Sequence, residues 1–173
     1  MENPNQQEVL PCWWALHKGK FKINCDAAVP GKGKEGRIVG IIRNCRRMVV
    51  DGFTKPITAL SSLMGELFAI RSACLMALHL RMKEVEIEAD NKQAILLSVS
   101  ELDLPWDSKA VVLDIRILAK IGGFTFRWVR RAANRASHEI ASLAMCNFLP
   151  CNWTFNPPVS LVNVLTSDLN ESL

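Results

Sequence analysis

Residues 84–90 read Glu84-Val85-Glu86-Ile87-Glu88-Ala89-Asp90, a strict alternation of carboxylate and apolar side chains. A two-residue period belongs to a strand, with Val85, Ile87 and Ala89 on one face and four carboxylates on the other. Upstream the period changes. Leu63, Leu67, Ile70, Cys74, Ala77 and Leu78 recur at steps of three and four. That spacing predicts a helix of about 18 residues from Ser62, capped by Ser61 or Ser62.

Further toward the amino end, Lys20-Phe21-Lys22-Ile23-Asn24-Cys25-Asp26 alternates again, which predicts a half-buried first strand ending on its polar face at Asp26. A turn-rich loop at residues 30–36 leads into Ile38–Ile42 and Met48–Phe53, separated by Asn44-Cys45-Arg46-Arg47. Three strands on short links predict an antiparallel meander. Beyond Asp90 the pattern predicts a short helix from Gln93 to Val99 and a longer one from Ser108 to Lys120. Val111, Val112, Ile115 and Leu118 of the longer helix face inward. A fifth strand follows from Phe124 to Val129, then a last helix from about Asn134 to Phe148. The order βββαβααβα is an α/β fold, a five-stranded mixed sheet with three antiparallel strands first, flanked by helices. The domain spans 20–149, with a flank at 1–19 and a tail at 150–173 in which Val159 to Leu165 suits either a strand or a helix.

The 173 residues are 49% apolar and 22% charged, enough for one sizeable core and too apolar for a disordered chain. No apolar run approaches the roughly 18 residues of a membrane span, so no membrane partner is expected. The net charge is +4, and it is unevenly placed. Residues 1–50 hold nine Lys/Arg against four acids, and Ile115 to His138 hold six Lys/Arg and no acid. Such stretches suit a polyanion. Cys12, Cys25, Cys45, Cys74, Cys146 and Cys151 form no CxxC pair, so they are read as reduced, mostly core thiols. The polar start is unlike a secretory signal, and an intracellular location, nucleus or cytoplasm, is expected. His17 and His79 have no partner spacing and are read as flank and helix-surface residues.

Three acids stand where the local pattern does not call for them: Asp26 and Asp90 at strand ends, and Glu66 on the apolar helix. Singly, each has an ordinary role, as a turn residue, a helix cap or an acid favoured by a first helical turn. Jointly they do more. If the first and fourth strands are parallel neighbours, a right-handed crossover through the helix puts both aspartates at one sheet edge with Glu66 above them. Clustered carboxylates repel one another and call for a cation such as Mg2+, whose chemistry is assisted phosphodiester hydrolysis.

These segments resemble ribonuclease H domains. The resemblance rests on Phe21-Lys22-Ile23-Asn24-Cys25-Asp26-Ala27-Ala28, Gly65-Glu66-Leu67-Phe68-Ala69-Ile70, Glu86-Ile87-Glu88-Ala89-Asp90, and Phe126-Arg127-Trp128-Val129-Arg130-Arg131 leading to Asn134-Arg135-Ala136-Ser137-His138-Glu139-Ile140-Ala141. It covers Phe21 to Phe148 and is strongest to the plant reverse-transcriptase-like, retroelement-derived branch. It implies cleavage of the RNA strand of RNA–DNA hybrids, with Asp26, Glu66 and Asp90 as metal-binding carboxylates. His138 stands where cellular members usually carry a fourth acid, a position often histidine in the plant branch. Imidazole suits Mn2+ better than Mg2+ and can orient a water or a phosphate. The histidine that such domains tend to carry in the preceding loop has no counterpart in Arg130-Arg131-Ala132-Ala133.

Nucleic acid is the expected partner, as an RNA–DNA hybrid or double-stranded RNA, and a monomer is the expected state. Arg127, Arg130, Arg131 and Arg135, with Asn134, approach the start of the last helix, where free amides also favour phosphate. Lys32, Lys34, Arg37, Arg43, Arg46 and Arg47 could extend that face. Trp128 is expected to face the core, and Trp13 and Trp14 to be exposed stackers or a clasp. The alternative function is a catalytically weak nucleic-acid-binding module of retroelement origin.

Overall fold

The computed structural model describes residues 17–101 and 103–170. Trp13, Trp14, Cys12 and most of the amino-terminal flank lie outside them. Three strands come first, β1 (Phe21–Ala28), β2 (Glu35–Asn44) and β3 (Val49–Thr58). Next come α1 (Ser62–His79), β4 (Val85–Ala89), α2 (Lys92–Val99), α3 (Lys109–Gly122) and β5 (Thr125–Trp128). A 3-10 turn at Arg131–Asn134 leads into α4 (Arg135–Met145), and α5 (Val159–Asn170) closes the chain. The sheet order is β3-β2-β1-β4-β5. The first three strands are antiparallel neighbours, and β4 pairs parallel with both β1 and β5. This is the five-stranded mixed sheet that the alternating and helical periods predict. Both β2 and β3 outrun their apolar stretches because backbone pairing continues from Ile38 out to Glu35, opposite Thr58. Pro56 sits in β3 without cost to the ladder, since an edge strand has one side free of pairing.

One face of the sheet packs on α1 through Ile23, Cys25, Ile87, Leu67 and Ile70, all fully buried. The other is covered by α4 and α5 around Val39, Ile41, Ile140, Trp153 and Leu161. Half-burial of the first strand is therefore corrected: Lys22 and Asn24, on its polar side, are buried as well. Each finds a partner there, as burial of a charge requires. Lys22 Nζ lies 2.7 Å from Glu88 Oε1, and Asn24 Nδ2 donates to Glu88 Oε2 at 2.8 Å.

The tail forms a helix over Val159–Asn170 rather than a strand, and it carries a buried carboxylate. Asp168 Oδ2 lies 2.7 Å from Arg43 Nη1, both groups being withdrawn from water. Arg47 Nη1 donates to the carbonyls of Asp168 and Leu169, which suits the negative end of a helix. Only Cys25 and Cys74 of the described cysteines are core residues. Cys45 is half-buried, Cys146 and Cys151 are exposed, and all five are free, which corrects the reading of mostly core thiols. No helix among the described residues is long and apolar enough to cross a membrane.

Candidate metal centre and nucleic-acid face

The parallel pairing of β1 with β4 sets Asn24 opposite Glu88. Asp26 and Asp90 each come two residues later, on the same sides of their strands, where the two strands part. Glu66 reaches them from the second turn of α1, whose start is fixed by Ser61 Oγ accepting from Met64 N–H at 3.2 Å. Gly65 allows the close approach. A methyl group there would stand 2.5 Å from Val29 Cγ2 and 3.1 Å from Ala27 Cβ, so any larger residue would force Val29 or α1 to shift. One carboxylate oxygen from each of Asp26, Glu66 and Asp90 lies within 4.8 Å of the others.

The ordinary explanations for these acids fail on the geometry: Asp26 lies within β1, opposite Val39, and not in a turn. Asn91, not Asp90, caps α2, its Oδ1 accepting from Ala94 N–H at 2.9 Å. Glu66 is buried beyond the first helical turn rather than solvated within it. Its Oε2 is buried and has no hydrogen-bond partner among the described residues. Burial first, then the neighbouring charges of Asp26 and Asp90, push its carboxyl up to about 9. Asp90 is raised too, by burial and by Asp26, against the lowering effect of Arg131 and His138. A group of oxygens that repel one another, with a buried oxygen left bare, fits a hard divalent cation.

His138 stands on the first turn of α4 and its Nδ1 lies 3.0 Å from Asp26 Oδ2. Arg131, from the preceding 3-10 turn, brings its Nη2 to 2.9 Å from that nitrogen and 2.8 Å from Nε2. Ser62 and Asn91 complete the walls of an open cavity of about 410 Å³. Sequence reading passes over both, although each stands at the start of a helix beside a site carboxylate.

The basic residues divide. Arg130 and Arg131 are exposed, and Arg131 lines the cavity beside the carboxylates. Arg127 is half-exposed and lies 3.3 Å from Glu86, while Arg135 lies 3.2 Å from Asp168. Asn134 is fully buried, which corrects its place on a nucleic-acid face. It accepts from Asn24 Nδ2 and donates to the carbonyl of Cys25, tying the start of α4 to β1. Arg43 is also withdrawn from that face, by its buried contact with Asp168. Trp128 is partly buried against the core, with Nε1 donating to the Asp90 carbonyl at 3.0 Å.

The model of one protein family, described as reverse transcriptase-like, matches residues 24–144, from β1 beside Asp26 to the end of α4. The chain belongs to the reverse transcriptase-like family. Helix α5, with Asp168, lies beyond the matched span. No curated protein matches this reverse transcriptase-like chain by sequence.

Among solved structures its fold is that of RNase H domains. The N-terminal RNase H domain of Rv2228c from Mycobacterium tuberculosis, solved as a fusion with maltose-binding protein, is 18% identical. That likeness covers 76% of this chain and 96% of the other, at a TM-score of 0.66. RNase H1 of the halophilic archaeon Halobacterium salinarum NRC-1 is 17% identical over 75% of this chain and 99% of its own, at 0.69. LC11-RNase H1, isolated from compost and solved in complex with an RNA/DNA hybrid, is 15% identical over 73% and 97%, at 0.64.

Proposed function

We propose that this chain is a divalent-metal-dependent endoribonuclease that hydrolyses the RNA strand of RNA–DNA hybrids, working as a monomer with Mg2+ or Mn2+. The observation that carries the reading is the convergence of Asp26, Glu66 and Asp90 within 4.8 Å at the parting of two parallel strands. Those three side chains would hold the ion. When bound, it supplies Lewis acidity to activate water and to steady the leaving oxygen.

The remaining work falls to side chains of the protein. Burial of Asp26 and Glu66 keeps water from screening the negative charge they would carry with a cation bound in place of the Glu66 proton, which strengthens their hold on it. His138, set by Asp26, orients a water or a phosphate oxygen at the cavity mouth. Arg130 and Arg131 neutralise backbone phosphates, with Arg127 at the periphery. Recognition of a hybrid would rest on groove shape and 2′-hydroxyl groups, so no base-sequence preference is expected. The family description supports retroelement descent, and the hybrid in the LC11-RNase H1 complex supports the substrate class.

A second reading is favoured by His138, which stands in contact with Asp26 and Arg131. In that reading the chain binds hybrids and does not cut them. A hybrid labelled on its RNA strand, incubated in Mg2+ and then Mn2+, separates the two. The first reading predicts RNA fragments that vanish with EDTA; the second predicts salt-sensitive binding and intact RNA.

A further inference from the structure

Helix α4 carries His138 to Asp26, yet its start is not capped in the usual way. Asn134 stands at the N-cap position and makes no side-chain hydrogen bond to the helix. Its amide is engaged by β1 instead: Oδ1 accepts from Asn24 Nδ2 at 3.1 Å, and Nδ2 donates to the Cys25 carbonyl at 3.0 Å. The next residue, Arg135, reaches α5, where its Nη2 lies 3.2 Å from both Ser167 Oγ and Asp168 Oδ1. The first turn of α4 is therefore held from outside the helix.

These two ties are joined. Asp168 Oδ2 lies 2.7 Å from Arg43 Nη1, and Arg43 Nη2 donates to Asn24 Oδ1 at 2.9 Å. Asp168, Arg43, Asn24, Asn134 and Arg135 thus form a closed ring, whose last link is the peptide bond between Asn134 and Arg135. All but Arg135 are buried. Buried, charge-assisted hydrogen bonds are strong and polarise one another, so the ring is a stiff frame.

The frame holds both partners of the His138–Asp26 contact. His138 stands three residues after Arg135, about one turn along α4, and its Nδ1 lies 3.0 Å from Asp26 Oδ2. Asp26 directly follows Cys25, the residue whose carbonyl Asn134 holds. Misplacing such a group by about 1 Å can cost about 10²-fold in rate.

We infer that Asp168 is a positioning residue for His138: from a helix beyond the span that defines the family, it closes the buried ring that fixes the first turn of α4 against β1. The kinetic consequence rests on the hybrid-cleaving reading, whereas the placement of the His138 ring is readable without cleavage.

The test uses the full chain with Arg43→Met combined with Asp168→Leu, which opens the ring and leaves no buried charge behind. Arg135→Ala, at a partly exposed side chain, is the second variant, and Arg135→Lys is its conservative counterpart. A long-range 1H–15N spectrum of the His138 ring at one fixed pH, on metal-free protein held well below each variant's Tm, should show Nδ1 shifted in the double variant and in Arg135→Ala. Arg135→Lys should return it toward wild type. On an RNA–DNA hybrid, kcat should fall about 10- to 100-fold in the double variant, with KM within about threefold. Nδ1 unmoved in the folded double variant, or an unchanged kcat where wild type cuts, would overturn the inference and reduce the ring to a stabilising device. A raised KM with unchanged kcat in Arg135→Ala would make Arg135 a phosphate contact and count against the ring. Wild-type protein that leaves the RNA intact would overturn the proposed function, and the Nδ1 comparison would still decide the inference.

Discussion

His138 Nδ1 and Asp26 Oδ2 lie 3.0 Å apart although 112 residues separate them in the chain. The contact joins the first turn of α4 to the end of β1. It means that the two residues share one site and can still be separated by function. Under the proposed function Asp26 would be a ligand for the cation, whereas His138 would act through what it orients.

Asp26→Asn should therefore remove both cation binding and cleavage. His138→Ala should keep cation binding and lower kcat by about 10²- to 10⁴-fold, the range for a lost acid–base or orienting group. Calorimetric titration with Mn2+ alongside single-turnover cleavage checks the split. Equal loss of cation affinity in the two variants would show His138 to be a ligand.

The Glu66 carboxyl is pushed up to about 9 from an ordinary value of 4.5, by burial and by Asp26 and Asp90. Between these values the folded protein holds a proton that the unfolded chain has released. Stability contributed by this group is therefore full below about pH 4.5 and is lost as pH rises toward about 9. Metal-free Tm should fall across that window, and saturating Mg2+ or Mn2+ should raise Tm most at its alkaline end. Differential scanning calorimetry at several pH values, with EDTA and with metal, makes the comparison. A metal effect independent of pH would argue against ligation by Glu66.

Glu66→Gln should carry the opposite signs for folding and for binding. At pH 8 the wild-type chain must take up a proton on Glu66 to fold, whereas the neutral amide needs none, so the metal-free variant should melt higher at pH 8, by about 2–4 °C for each kcal/mol recovered in a chain of this size. The same variant should bind Mn2+ far more weakly. A lower metal-free Tm would mean that Glu66 stabilises the fold instead of straining it.

Asp168 and Arg43 predict a structural effect far from the cavity. Asp168→Ala withdraws the carboxylate from a buried guanidinium and should cost about 3–5 kcal/mol. Arg43→Met combined with Asp168→Leu should cost much less, because no buried charge is then left behind. Urea denaturation of the single and double variants checks this, and a double variant as unstable as the single one would contradict it.

Much of the fold was legible because the periods are clean. The alternation at 84–90 and the three-and-four spacing of α1 follow directly from which faces are buried, and parallel pairing of β1 with β4 then brings Asp26, Glu66 and Asp90 together. Legibility ended where a polar residue is buried by a distant partner. Asn134 and Arg43 look like surface groups along the chain. They are drawn inside by Asn24 and Asp168, which are 110 and 125 residues away from them respectively. The tail gave no period strong enough to choose helix over strand, since α5 is fixed by Leu161 and Asp168 docking on elements far upstream.

On the proposed function, Asp26, Glu66 and Asp90 form one cation site that serves phosphodiester hydrolysis. Mn2+ electron paramagnetic resonance tests it most directly, read on the same samples that are assayed on an RNA-labelled hybrid. Wild-type protein should quench the free Mn2+ signal and cut the RNA strand, and Asp26→Asn and Asp90→Asn should do neither while remaining folded. Undiminished free Mn2+ signal with wild type, or equal cutting by wild type and both variants, would contradict it.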